Sequence, residues 1–126
     1  MKKLIFAVSL ILLIIALGIF SLFYLNNTKN EIQSGLFEIT ELVENENYIE
    51  ASKKADELYN SFENRTDYLI LFIKHESIEE LEETLLRLPP LIANKDSSEF
   101  LAEVSKAEGL SEKLFDHEFP SLKNIF

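Results

Sequence analysis

The chain has no cysteine, and that absence removes thiol redox chemistry, thiolate metal sites and disulfide stapling together. Any folded part must hold by packing alone, which about 100 residues can support. Glycine and proline are scarce, three of each in 126 residues. Glu, Leu, Lys and Ala fill the remainder, the composition of helices joined by short turns. Beyond residue 25 only Gly35 and Gly109 remain, so no glycine-rich phosphate loop exists. Positive charge is short as well. Residues 1–25 hold two of the twelve Lys and Arg and no acid, leaving ten bases against twenty-two acids over residues 26–126, a net charge of −12. Such a surface repels nucleic acid and anionic lipid headgroups at long range, which argues against a DNA or RNA partner.

Charge is missing altogether from residues 4–25, LIFAVSLILLIIALGIFSLFYL. As a helix this run measures about 33 Å, enough to cross a hydrocarbon core of about 30 Å. Helix is the expected form, because lipid offers no partner for free backbone N–H and C=O groups. The reading is a membrane anchor carried by residues such as Leu4, Ile11, Leu17, Phe20 and Leu25, with Tyr24 at the outer interface. Lys2 and Lys3 precede the run and no charge follows it until Lys29, so the N-terminus is expected in the cytoplasm and residues 26–126 outside the cell membrane. The rival is a cleaved signal peptide with Lys2-Lys3 as its basic start and Ala16-Leu17-Gly18 as its cleavage site. The run is long for such a peptide, and cleavage would leave an apolar start from Ile19 to Leu25. The uncleaved anchor is preferred.

Beyond the anchor the apolar residues recur every three or four positions. Ile32, Leu36, Ile39 and Val43 form one stripe, which carries the anchor helix on as a stalk to about Glu44. Gly35 costs that helix about 1 kcal/mol relative to alanine. Asn45, Glu46 and Asn47 make a polar break, with Asn47 as the next helix cap. Tyr48, Ala51, Ala55, Leu58 and Phe62 then keep the spacing, Arg65 interrupts it, and Leu69 and Phe72 resume it. One long helix is expected from Tyr48 to Lys74, loosened around residues 64–67. Ser77 with Glu80 reads as a capping box before Ile78, Leu81, Leu85, Leu88 and Ile92. Pro89 and Pro90 fall inside that stripe and predict a kink after Leu88. Asp96 with Glu99 repeats the capping pattern ahead of Phe100, Leu101, Val104, Ala107, Leu110, Leu114 and Phe115. This helix should reach about His117, with Pro120 ending it. A faint echo links Leu42-Val43 and Glu50 to Leu91-Ile92 and Glu99, each pair flanking a polar turn.

Catalytic and metal chemistry find little support. Di-metal bundles place Glu three residues before His on two helices, whereas Phe72 and Leu114 precede His75 and His117 at that spacing. Glu79, Glu82 and Glu83 lie near His75, while Asp116, His117 and Glu118 are consecutive and diverge on a helix. Neither histidine has a spacing that implies a nucleophilic triad. No metal, cofactor or catalytic residue is expected, and the chain reads as a non-enzyme. Asn26-Asn27-Thr28 and Asn64-Arg65-Thr66 match the glycosylation sequon, a triplet that arises easily by chance.

Over almost its whole length the chain resembles a bacterial family of small membrane-anchored proteins, domain of unknown function 4363. The likeness rests on the MKKL start and single anchor, the turn ENENYIEA, the phrase LFIKHESIEELEETLLRL, the turn IANKDSSEFLAEVSKAEGL and the ending SLKNIF. Pro89-Pro90 departs from the expected pattern there. The resemblance implies an anchored helical domain in a Gram-positive bacterium of the endospore-forming type, and it implies no activity.

The fold class is therefore all-α: an anchor and stalk, then an antiparallel helical bundle or two stacked hairpins. The expected role is an interaction module displayed outside the cell, facing another envelope protein or its own copies. A ligand-binding sensor bundle acting through a membrane partner is the alternative. Helix lengths add one expectation. A stalk rising about 31 Å and a returning helix of about 21 residues bring Leu69 back to the level of Tyr24. Two readings follow for Leu69, Phe72 and Ile73, with Phe119 and Phe126 from the tail: packing on each other in the lower core of the bundle, which is slightly preferred, or contact with the bilayer surface.

Overall fold

The computed structural model describes residues 1–117, the last two by backbone alone. Helix α1 (Lys2–Glu44) is continuous over 43 residues and has two halves of different character. In the first half Leu4, Ile11, Leu17 and Phe20 are all more than half exposed. In the second a stripe of Leu25, Thr28, Ile32, Leu36, Ile39 and Val43 is buried. Leu25, expected to close the anchor, is instead the first core residue of the bundle at 4% exposure. Its place three residues before Thr28 and seven before Ile32 puts it on the same helical face.

Helix α2 (Tyr48–Leu69) buries Ala51, Ala55, Leu58, Phe62 and Leu69. Residues 64–67 are unbroken helix, so the loosening expected there is corrected. The helix also ends five residues before Lys74. Beyond it the Leu69 carbonyl accepts from the N–H groups of both Phe72, at 3.0 Å, and Ile73, at 2.8 Å. That closed turn reverses the chain for α3 (His75–Leu86). Leu69 and Ile73 thus enter the core, while Ile70, Leu71 and Phe72 stay outside.

Ser77 is not the cap of α3. Extended Lys74 holds that position, and its carbonyl accepts from the Ser77 and Ile78 N–H groups at 3.1 and 3.2 Å. The helix starts one residue after Lys74 because the tight reversal ends there, ahead of the local capping signal. Helix α4 (Leu88–Ala93) takes Pro89 and Pro90 in its first turn, where a missing N–H costs nothing. Arg87, at φ −75° and ψ −19°, joins α3 to α4, and Leu88 and Ile92 stay buried. The prolines interrupt the rod while its apolar face keeps register.

Helix α5 (Ser97–His117) is capped as expected, with the Glu99 N–H donating to Asp96 Oδ1 at 3.2 Å. It buries Phe100, Val104, Ala107, Leu114 and Phe115, whereas Leu101 remains 46% exposed. Pro120, Phe119, Phe126 and the tail lie outside the described residues.

The echo in the sequence has a structural counterpart. Glu46 and Lys95, 49 positions apart, adopt left-handed backbone at φ 61° and 57°. The Glu46 and Asn47 N–H groups return to the Val43 and Leu42 carbonyls at 3.0 and 2.9 Å. Those of Lys95 and Asp96 return to Ile92 and Leu91, both at 3.0 Å. Each is a Schellman turn, satisfying two end carbonyls of the preceding helix. The Lys95 ammonium lies 5.3 Å from the centre of the Tyr48 ring, joining the two turns at one end of the molecule.

Helix α1 packs on α2 and α5, and both α2 and α5 pack on α3 and α4. With α3 and α4 counted as one interrupted rod, the described residues form an antiparallel bundle of four rods. Among the described residues Phe62 and Phe100 are the largest fully buried side chains, set among Ile32, Leu36, Ile39, Leu81, Leu85 and Leu88. Burial of each Leu or Ile is worth about 1.5–3 kcal/mol, which is how the domain holds without disulfides.

Candidate functional site

The polar residues that interrupt the apolar pattern meet at the end of the bundle where the apolar half of α1 begins. Arg65 of α2, only 21% exposed, reaches across to α1. Its Nη1 donates to Thr28 Oγ1 at 2.7 Å, and its Nη2 donates to Glu31 Oε2. Ser61 Oγ donates to the other oxygen of the same carboxylate. The guanidinium also lies over the Tyr24 ring, 5.4 Å from its centre. Tyr24 and Tyr68 meet with ring centres 5.8 Å apart and planes at 51°. Arg65 suits this place because its planar fork serves two acceptors while its face stacks on an aromatic ring.

The interruption of the α2 stripe at Arg65 is thus a polar clasp between α1 and α2. The sequence placed the break but not its partners, which lie 37 and 34 positions away. Buried Thr28, a member of one sequon, is committed to this clasp and donates to its own helix at the Tyr24 carbonyl, 2.9 Å away. The recess between Thr28, Ile32, Phe62 and Arg65 has no room for a water molecule. A shallower hollow of about 400 Å³ along Ser34, Gly35, Lys54 and Leu58 is open to solvent. Gly35 permits close approach of α1 and α2 there: a Cβ at this position would stand 2.9 Å from a Leu58 methyl.

A second group sits between α2 and α3. Burial, then the neighbouring Glu63 and Glu79 carboxylates, push the Glu82 carboxyl above its ordinary range, and His75 opposes with a smaller downward pull. Tyr59 is raised likewise, first by burial and then by Glu63 and Glu82. His75 Nε2 stands 3.0 Å from Glu79 Oε1, one turn along an exposed face of α3. Among the described residues no three His, Cys, Asp or Glu converge as a metal site. Elsewhere Arg87 reaches Glu103 Oε2 at 3.7 Å, and the Ser111 hydroxyl is buried without a hydrogen-bond partner among the described residues.

Of the residues weighed between the bundle's lower core and the bilayer surface, Leu69 and Ile73 are core residues at 0% and 5% exposure. Phe72 is on the outside, and its neighbours Ile70 and Leu71 are more exposed still. The residues expected in the anchor, Leu4, Ile11, Leu17 and Phe20, are uncovered, and among the described residues the one helix long and apolar enough to cross a membrane is α1. Bundle and clasp define an all-helical protein with a long apolar N-terminal helix. The chain belongs to the family described as domain of unknown function DUF4363, whose model matches residues 19–125. No curated protein and no solved structure matches the chain.

Proposed function

We propose that this protein is a single-pass membrane protein whose N-terminus is cytoplasmic and whose bundle stands outside the cell as a non-catalytic interaction module. One observation carries the reading. Within one unbroken helix the first half is apolar and uncovered on every side, while the second buries a single stripe in the bundle. A helix that is apolar all round needs an apolar medium all round, and Lys2-Lys3 before the apolar run, with no charge after it until Lys29, support a cytoplasmic N-terminus. A cleaved signal would break α1 near Gly18, just below the residues that hold the clasp.

The module's partner is another envelope protein or a second copy. Phe37 of α1 and Leu101 of α5 are 69% and 46% exposed on two helices that pack together, and a partner would cover them. Topology is tested by placing a cysteine at exposed Lys53, which an impermeant thiol reagent should label in whole cells stripped of wall; labelling only after lysis overturns the orientation. Partnership is tested by a photo-crosslinking residue at Phe37 in intact membranes, read by mass spectrometry. Adducts to one envelope protein or to the chain itself support the module. Monomer alone, with a small molecule retained by the purified protein, would replace it with the sensor reading.

A further inference from the structure

The turn between α2 and α3 carries an apolar tip that the bundle leaves uncovered. Tyr68, Ile70, Leu71 and Phe72 are 62%, 49%, 71% and 38% exposed, although Leu69 and Ile73 beside them are buried. No charged residue occurs from Tyr68 to Ile73; Asp67 and Lys74 bound the stretch. In a chain with a net charge of −10, four adjoining exposed apolar and aromatic residues need a reason.

Their height relative to α1 supplies one. The Tyr24–Tyr68 ring contact and the Arg65 guanidinium over Tyr24 put the end of α2 beside the end of the apolar run. α2 runs toward that end, and the turn after Leu69 carries Ile70 and Leu71 past Tyr68 before the chain reverses. The burial of α1 fades over the same stretch: Leu25 is buried, Tyr24 and Ser21 are half-buried, and the residues from Phe20 back to the start of α1 are exposed. Counted from Leu4, a hydrocarbon core of about 30 Å ends about 20 residues on, near Phe23. Bundle base and bilayer boundary therefore coincide.

We infer that Ile70, Leu71 and Phe72 insert into the interfacial layer of the bilayer that α1 crosses, as a second lipid contact of the same chain. The inference rests on the anchor reading above. The occupant is zwitterionic lipid, because the acidic bundle disfavours an anionic surface. Aromatic and aliphatic side chains with a polar backbone turn suit this layer, where one side is apolar and the other wet. Tyr24 and Tyr68 then form a paired belt at one depth. Two contacts, the α1 span and this tip, would fix the tilt and rotation of the bundle on the membrane.

The chain has no tryptophan, so each Trp variant reports from one place. Full-length protein carrying Leu71→Trp or Phe72→Trp is reconstituted into phosphatidylcholine vesicles with and without acyl-chain bromine. Phe20→Trp reports the span and Ile49→Trp the distal end. The expected result is loss of most of the emission for positions 20, 71 and 72, with position 49 unaffected. Quenching at 20 without quenching at 71 or 72 overturns the tip contact and leaves the anchor standing. Failure to quench at 20 overturns the anchor reading and the inference with it. Blue-shifted emission at 71 that bromine leaves untouched means that a second copy covers the tip, which also overturns the lipid contact.

Discussion

Arg65 shows how much one side chain decides at the residue scale. It spends three interactions, with Thr28, Glu31 and the Tyr24 ring, on joining α1 to α2 at the base of the bundle. Charge-assisted hydrogen bonds in a half-buried setting contribute more than exposed pairs such as that between Lys54 and Glu38 at 3.5 Å. Arg65→Ala should lower stability by about 1–2 kcal/mol in urea unfolding. Arg65→Lys should recover only part, since an ammonium cannot serve both acceptors and stack on Tyr24. Glu82 acts in the opposite sense. A carboxyl raised in the folded chain holds its proton more tightly folded than unfolded, so its charged form is a cost of folding. The cost is absent below the ordinary carboxylate range, grows as pH rises from there, and is complete above the raised value. Glu82→Gln should therefore be more stable than the parent at neutral pH, the difference closing by about pH 4 in unfolding titrations.

At the scale of elements the two Schellman turns stand out, because each uses a left-handed residue that is not glycine. Left-handed backbone costs an L-residue about 1 kcal/mol, and glycine escapes most of that. Glu46→Gly should raise the thermal midpoint. Lys95→Gly should gain less, as it gives up the contact with the Tyr48 ring. Gly35 poses the reverse problem. Alanine there gains about 1 kcal/mol of helix propensity but puts a methyl 2.9 Å from the end of Leu58, which can turn aside. Gly35→Ala should be close to neutral in thermal unfolding, whereas Gly35→Ile should be destabilising because a β-branched side chain is stiff and crowds Leu58 from more than one side.

For the whole molecule, the consequence of one continuous α1 is that the apolar run and the bundle share residues. Tyr24 and Leu25 belong to the apolar run by composition and to the bundle by packing. A chain beginning at Ser21 should fold with nearly the parent's bundle stability. One beginning at Thr28 should lose about 2–4 kcal/mol, because it forfeits a buried leucine and the ring beneath Arg65. Comparing their urea midpoints decides whether the bundle ends where the apolar run does or one turn inside it.

Periodicity and composition by themselves determined the helical class, the apolar half of α1, and the faces that pack. Ile32, Leu36, Ile39 and Val43, then Ala51, Ala55, Leu58 and Phe62, then Ile78, Leu81, Leu85, Leu88 and Ile92 are all buried as their spacing requires. These are local facts, because a helical stripe is visible to the residues three and four positions away. The end of α2 at Leu69, the start of α3 after Lys74, the partners of Arg65 and the exposure of Leu71 beside buried Leu69 were decided only by the tertiary structure. Each depends on where the chain must reverse to lie along a helix tens of residues distant. A run such as Leu69 to Ile73 is apolar at every position, so no periodicity within it separates the inward residues from the outward ones. The turn that packs Leu69 and Ile73 against the other rods makes that choice.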